Sequence, residues 1–467
     1  MNIFLQKDNK IAVYKQIYDY FRTEILKGNI KEGTKLPSIR QLASDLHVSK
    51  NTVNEAFQQL LSEGYIESKQ KKGYWSVKIE GYVQEEQKAV LFPIDENKEE
   101  EKGSIDFQYG DIDVRHFPTK VWKKHLGDSV DALEKEIMMY GKKQGHPPLR
   151  KEIARYLYQS RGIHCHPDQI VIAAGTQNII RLIVSLLQER PHVAMENPGY
   201  DGVKNIFEKE GCTLTPISVN RIEGYCIEEL ENSDCNLAYV TPSHQFPLGM
   251  IMPITKRLSL LKWAEKQNAF IIEDDYDSEF RYEGAPIPSL KGLDRVDRVI
   301  YAGTFSKSFL PAARVSYMVL PANLLEIYHA SQKESQQVSP IIQSALARFL
   351  ENGDFYRHLR KMRKVYEEKR RIVFESIYKY MGKQVEIIGE KAGLHLLLFI
   401  EGKNPDVLKE KAKANKIKVY TAAPYYWSNN QVEKERPILL GFGGLEKGEL
   451  ENGISLLAQI WFGNKNE

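Results

Sequence analysis

The chain has 467 residues, 42% of them hydrophobic and 27% charged, with a formal net charge of +3. At about 100–200 residues per domain this length predicts more than one domain, and the composition is that of an ordinary globular protein rather than a disordered or collagenous one. The four cysteines (Cys165, Cys212, Cys226, Cys235) show no C-x-x-C and no His/Cys ligand spacing, so no zinc site, other metal site or disulfide framework is expected, and the compartment implied is a reducing one.

The N-terminal "MNIFLQKDNK" has no apolar leader core, and no segment approaches the ~18 apolar residues of a membrane span, so a cytoplasmic protein is expected. The charge is unevenly spread. Residues 1–78 hold 13 Lys/Arg against 8 Asp/Glu, whereas residues 79–102 hold 3 against 8. A basic head followed by an acidic tether suits a nucleic-acid contact confined to the N-terminus.

In "YKQIYDYFRTEILKGNI" Ile17, Phe21 and Ile25 recur every four residues, which predicts an amphipathic helix ended by Gly28. Pro37 and Ser38 open a second, short helix whose inner face is Ile39, Leu42, Ala43 and Leu46. After a turn at His47 and Val48, Ser49 is placed to cap a third helix with Val53, Ala56, Phe57, Leu60 and Leu61 inside. Helix, tight turn, helix is the geometry in which the start of the second helix reaches base edges. "IESKQKKGYWSV" then predicts a hairpin whose turn carries Lys69, Lys71, Lys72 and Gly73, a basic wing. A plain three-helix bundle would explain the helices but not the wing.

Through "LPSIRQLASDLHVSKNTVNEAFQQLLSEGYI" and "KKGYW", residues 12–78 resemble the GntR family of winged-helix regulators. The resemblance implies that Ser38, Arg40, Ser49, Lys50, Asn51 and Thr52 face DNA, with Lys69, Lys71, Lys72 and Gly73 at the backbone or minor groove. Many members carry arginine at the position of Lys50, and lysine lacks the planar fork for a bidentate guanine contact. The stretch "EGYVQEEQKAVLFPIDENKEEEKGS" has no sustained periodicity and reads as a flexible acidic linker. The domains expected are therefore 1–78, a linker over 79–103, and 104–467.

Beyond residue 104 short apolar runs alternate with helical segments. "QIVIAA", "HVAM", "NLAYVT", "AFIIED" and "RVIYAG" are expected strands; "TQNIIRLIVSLLQE" and "TKRLSLLKWAEKQN" are expected helices. The alternation predicts an α/β domain with a mostly parallel central sheet, and ligands bind such sheets beyond the carboxyl ends of the strands. Polar clusters stand at those ends: "AAGTQN", "ENPGYDG", "TPSHQFPLG", "EDDYDSEF" and "AGTFSKS". Each alone is an ordinary turn, cap or surface charge. Together they offer an anion cradle at a helix start, an acid, a phenol, an aromatic and a lysine among hydroxyls. Those are the parts pyridoxal 5′-phosphate needs: an amine for its aldehyde, an acid for its ring nitrogen, and donors with a cation for its phosphate.

This part is similar to fold-type I, class I/II aminotransferases of the aspartate aminotransferase type. Joined to the GntR-like head it resembles the MocR/GabR group of bacterial regulators. The supporting strings include "YGKKQGHPPLRKEIARYL", "AAGTQNII", "ENPGYDG", "TPSHQFPLGMIM", "EDDYDSEFRY", "YAGTFSKSFLPAARVSYMVLP" and "GLHLLL".

The resemblance implies that Lys307 holds the cofactor as a Schiff base, that Asp274 pairs with the ring nitrogen and Tyr276 with the ring hydroxyl, and that Tyr200 stacks on the ring. It assigns the phosphate to Gly175, Thr176, Gln177, Thr304, Ser306 and Arg314. It implies a homodimer with sites near the subunit interface, and Tyr109 in the partner's site. Two departures stand out. Phe246-Pro247-Leu248-Gly249 replaces the common Asn-Pro-x-Gly, with His244 or Gln245 as substitutes for the lost asparagine. Asp201 follows Tyr200 where GABA-responsive relatives have arginine, so the effector is not expected to be held as GABA is. Arg115, His244 and Arg436 are the candidate effector contacts.

The function implied is a PLP-dependent transcriptional regulator that binds an operator through its winged helix. It would sense an amino acid or amine by external aldimine formation at the PLP-lysine. The alternative is a genuine class I/II aminotransferase acting on an amino acid or amine. A DNA-binding dimer without cofactor fits the Lys307, Asp274 and Tyr276 set least.

Overall fold

The structure is a computed structural model that describes residues 3, 5, 11–79, 103–132, 135, 139–187, 189–282, 288–331, 337–427 and 437–463. They belong to two compact units, Met1–Glu100 and Glu101–Glu467. The linker expected over 79–103 lies, except for its two end residues, outside the described residues.

In the first unit α1 (Val13–Leu26), α2 (Ile39–Asp45) and α3 (Lys50–Ser62) pack around Ile17, Phe21, Leu42, Val53, Ala56, Phe57 and Leu60, all buried. Phe57 is the keystone: its ring meets Phe21 at 5.5 Å and Tyr74 at 5.2 Å, both edge-on. Tyr74 belongs to β2 (Gly73–Ser76), which pairs antiparallel with β1 (Ile66–Lys69), so the same aromatic contact that fixes α3 anchors the hairpin. Each large apolar side chain buried this way contributes roughly 1.5–3 kcal/mol. Between α2 and α3 the chain turns at His47, whose φ of 51° is left-handed.

The second unit opens with β3 (Ile105–Asp106), α4 (Thr119–Asp131) and α5 (Pro147–Arg161). Its main sheet holds β4 (Ile170–Ala173), β5 (His192–Asn197), β6 (Thr213–Asn220), β7 (Gly224–Tyr225), β8 (Leu237–Val240), β9 (Phe270–Asp275), β10 (Val299–Thr304) and β11 (Ser316–Val319). The order is β4-β11-β10-β9-β8-β5-β6-β7. Strands β10, β9, β8, β5 and β6 are mutually parallel, while β11 runs antiparallel to both β10 and β4.

Every residue of β4, β8 and β10 is buried, as expected for strands covered on both faces. The apolar runs read as strands each lie in one, and α6 (Thr176–Leu186) and α7 (Asp201–Lys209) follow β4 and β5. A smaller antiparallel sheet, not legible from the pattern, comprises β12 (Glu386–Ile388), β13 (His395–Phe399), β16 (Ile438–Gly441) and β15 (Tyr420–Thr421); β14 (Ile417–Lys418) pairs with β3. No helix among the described residues is long and apolar enough to cross a membrane.

Candidate functional site

At the carboxyl ends of β4, β9 and β10 lies a cavity of about 340 Å³. Its lining contains Gly175, Thr176, Gln177, Tyr200, Asp274, Tyr276, Thr304, Ser306, Lys307 and Arg314. All the residues proposed for the cofactor thus surround one space. Tyr109, Gly110, Tyr239, Thr241 and Phe246 complete it.

One end is built for an anion. Gly175 caps α6 with a φ of 86°, a conformation that suits glycine. A Cβ there would lie 2.5 Å from the Arg314 guanidinium, so the missing side chain lets that cation approach the helix start. Arg314 itself is left-handed at φ 53°, at the end of the loop that returns β10 to β11. Thr304 Oγ1 and Ser306 Oγ are hydrogen-bonded at 2.9 Å, and Ser316 donates to Thr304 from the facing strand at 2.9 Å. Helix N–H groups, hydroxyls and a guanidinium together suit a phosphate.

Lys307 lies in the same loop. Its Nζ donates to the Gly110 carbonyl at 2.7 Å and stands 4.6 Å from the centre of the Tyr109 ring. Burial lowers its pKa to about 8, against the opposing pull of Asp277 and Asp111. Asp274 is buried, and that burial raises its carboxyl to about 7; Asp275 and Asp277 push the same way, while the hydrogen bond donated by Tyr239 at 2.5 Å opposes them. A buried acid with so little compensation suits a cationic ring nitrogen. Burial also raises the Tyr276 and Tyr200 phenols. Amine, acid, phenol and anion cradle fit pyridoxal 5′-phosphate.

Several expectations are altered. Tyr109 stands over Lys307 of its own chain, where the segment after β3 meets the Lys307 loop. Neither substitute for the missing asparagine lines the cavity. Gln245 donates its amide to Pro198 O and Phe246 O, and His244 Nδ1 is hydrogen-bonded to Asp277 at 2.9 Å. His244 acts from behind, since the Tyr276 hydroxyl donates to its carbonyl at 2.8 Å. Arg115 is engaged elsewhere: it grips Asp113 at 3.0 and 2.9 Å and pairs with Glu446 at 2.5 Å. Arg436 lies outside the described residues.

In the first unit Ser38 and Ser49 cap α2 and α3, accepting from the N–H groups of Gln41 and Thr52. Arg40, Lys50 and Asn51 are exposed and Thr52 is half-buried, so the start of α3 presents its polar edge. Lys69, Lys71, Lys72 and Gly73 are exposed at the hairpin turn, where Lys71 and Gly73 both have positive φ. Lys69 is partly occupied by Glu67 at 2.9 Å and lies 5.0 Å from the centre of the Trp75 ring.

The chain's similarities agree with both units. The family description "Bacterial regulatory proteins, gntR family" matches residues 13–75, and "Aminotransferase class I and II" matches residues 102–429. The chain is 41% identical over 461 residues to the uncharacterized HTH-type transcriptional regulator YdeL of Bacillus subtilis, covering 98% of both chains. It is 31% identical to the probable rhizopine catabolism regulatory protein MocR of Rhizobium meliloti, covering 97% of this chain and 95% of that one. Among solved structures, an archaeal alanine:glyoxylate aminotransferase superimposes with a TM-score of 0.69 at 26% identity, over 77% of this chain and 90% of its own. With a GntR-type winged helix preceding an aminotransferase class I/II domain, and with regulators of that build as relatives along its whole length, the chain belongs to the MocR/GabR-type transcriptional regulators.

Proposed function

We propose that this regulator binds operator DNA as a cytoplasmic homodimer and responds to an amino acid or amine taken up at Lys307. The observation that carries the reading is the convergence of Lys307, Asp274, Tyr276 and the Gly175–Arg314 cradle on one cavity, in a chain that also displays the exposed polar start of α3. Pyridoxal 5′-phosphate, when bound, supplies an electrophilic carbonyl for primary amines. Lys307 would provide the amine for that carbonyl, and its lowered pKa keeps part of it neutral near pH 7. Asp274 would face the ring nitrogen, and Arg314 with the start of α6 would hold the phosphate. An amino compound changes DNA affinity only insofar as it binds one arrangement of the protein more tightly than another.

The test pairs two readouts on the purified protein. Wild type loaded with pyridoxal 5′-phosphate is expected to show the visible absorbance of a lysine-bound cofactor and to bind a specific operator. Lys307→Ala is expected to lose the absorbance and the response to amines while still binding operator. Wild type that stays colourless after loading would overturn the cofactor reading. Sustained transamination without any operator binding would replace the regulator by an enzyme.

A further inference from the structure

A second cavity, of about 440 Å³, is bordered by none of the residues around the cofactor cavity. Its walls come from the end of α5 (Tyr156, Ser160, Arg161), from the segment after β9 (Glu279, Arg281) and from one stripe of the helix Asp354–Tyr380. That stripe is Tyr356, Leu359, Arg360 and Arg363, spaced i, i+3, i+4, i+7 and therefore on one face. Four arginines and three serines, Ser160, Ser243 and Ser278, thus border a single space, and Glu279 is the only carboxylate among its described lining residues.

The charges are not equivalent. Arg161 is buried and committed to Asp275 at 2.7 Å, and it also donates to Ser243 Oγ at 2.5 Å. Leaving Arg281 out of the count, Arg360 and Arg363 still face the lone Glu279. Arg363 Nε donates to the Glu279 backbone carbonyl at 2.7 Å, a neutral acceptor that orients the guanidinium without cancelling its charge. The Glu279 side chain accepts from the Tyr156 hydroxyl at 2.6 Å. Its carboxyl is raised to about 7 by burial and by Asp275, which weakens its claim on the arginines.

We propose that this cavity is a binding site for a small multiply charged oxyanion, a phosphate ester or a polycarboxylate, held by Arg360 and Arg363 with Ser243 and Ser278 as neutral partners. The site is separate from the cofactor cavity, sharing none of its lining residues. It does not rest on the regulator reading.

The test is calorimetric titration of full-length protein, preloaded with pyridoxal 5′-phosphate so that the Arg314 cradle is filled, at constant ionic strength. Pyrophosphate and citrate are the two probes, and the tighter one identifies phosphate or carboxylate as the preferred chemistry. Saturable binding of one equivalent per chain is expected. Arg360→Ala/Arg363→Ala should weaken it at least about tenfold, the loss expected for charge-assisted hydrogen bonds. Arg371→Ala, on the same helix but paired with Glu375, should leave it unchanged. Circular dichroism and cofactor absorbance of the double variant establish that it is folded and loaded. Absence of saturable binding for both probes, or binding that survives intact in the folded double variant, overturns the proposal.

Discussion

Lys307 and Asp274 are held in one cavity with opposite penalties: burial works against the charged form of each, so the lysine is drawn toward neutrality and the acid toward protonation. With a pKa of about 8, roughly a tenth of Lys307 is neutral at pH 7, against ~1 in 3,000 for an ordinary lysine. The rate of pyridoxal 5′-phosphate uptake should therefore rise with pH and level off near 8; a rise continuing toward 10.5 in stopped-flow absorbance would contradict it.

For Asp274 the folded value of about 7 lies above the ordinary 3.8. The unloaded fold consequently loses stability as pH climbs from about 4 to about 7 and stays penalised above that. Asp274→Asn should raise the Tm of cofactor-free protein at pH 8, by up to ~4 kcal/mol in stability, with the gain shrinking toward pH 5. The same variant should bind the cofactor more weakly. A lower Tm at pH 8 would refute the assignment. Lys307, Asp274 and Arg314 are legible in the sequence only as a set, through strings that resemble class I/II aminotransferases, since each alone reads as an ordinary cap or surface charge. Tyr239 and Phe246 are not, since inside "NLAYVT" and "SHQFPLG" an aromatic looks like any core residue until its neighbours are known.

At the level of elements, α3 has to satisfy two demands at its first turn. Ser49 accepts from the Thr52 N–H at 3.1 Å and also faces outward beside Lys50 and Asn51. Capping and DNA contact can be separated by Ser49→Asp, because aspartate caps as well as serine but repels phosphate. Thermal stability should stay within ~0.5 kcal/mol of wild type while operator affinity collapses in a gel-shift titration; a matching loss of stability would mean that the cap alone is at stake. The helices of the head and the parallel strands are readable because their apolar periods, near 3.6 and continuous, are strong. Strand β11 is not, as "SYMV" is short and its antiparallel direction depends on pairing with β4, far away in sequence. The small sheet of β12, β13, β15 and β16 hides for the same reason.

For the whole molecule the proposed function assigns DNA affinity and cofactor chemistry to separate residues. Lys71 and Lys72 are exposed at the hairpin turn, distant in sequence from every residue of the cofactor cavity. Lys71→Ala/Lys72→Ala should flatten the slope of log K against log salt by about 1.8 if both meet phosphates, each contact being worth ~0.9. Cofactor absorbance should not change. A fall in both together would show that the two units do not act independently.

The pairing of β4 with β11 also bears on how the protein is made. Strand β4 is the first of the main sheet to leave the ribosome and β11 the last, yet among the described residues β11 is the only neighbour β4 has. Gly175 follows the first and Arg314 precedes the second, so the two halves of the phosphate cradle are synthesised at opposite ends of that interval. Contacts of such long sequence separation close late. A nascent chain halted before Arg314 therefore has a bare edge strand and half a cradle, and capture of the cofactor must wait until nearly all of the sheet has been translated.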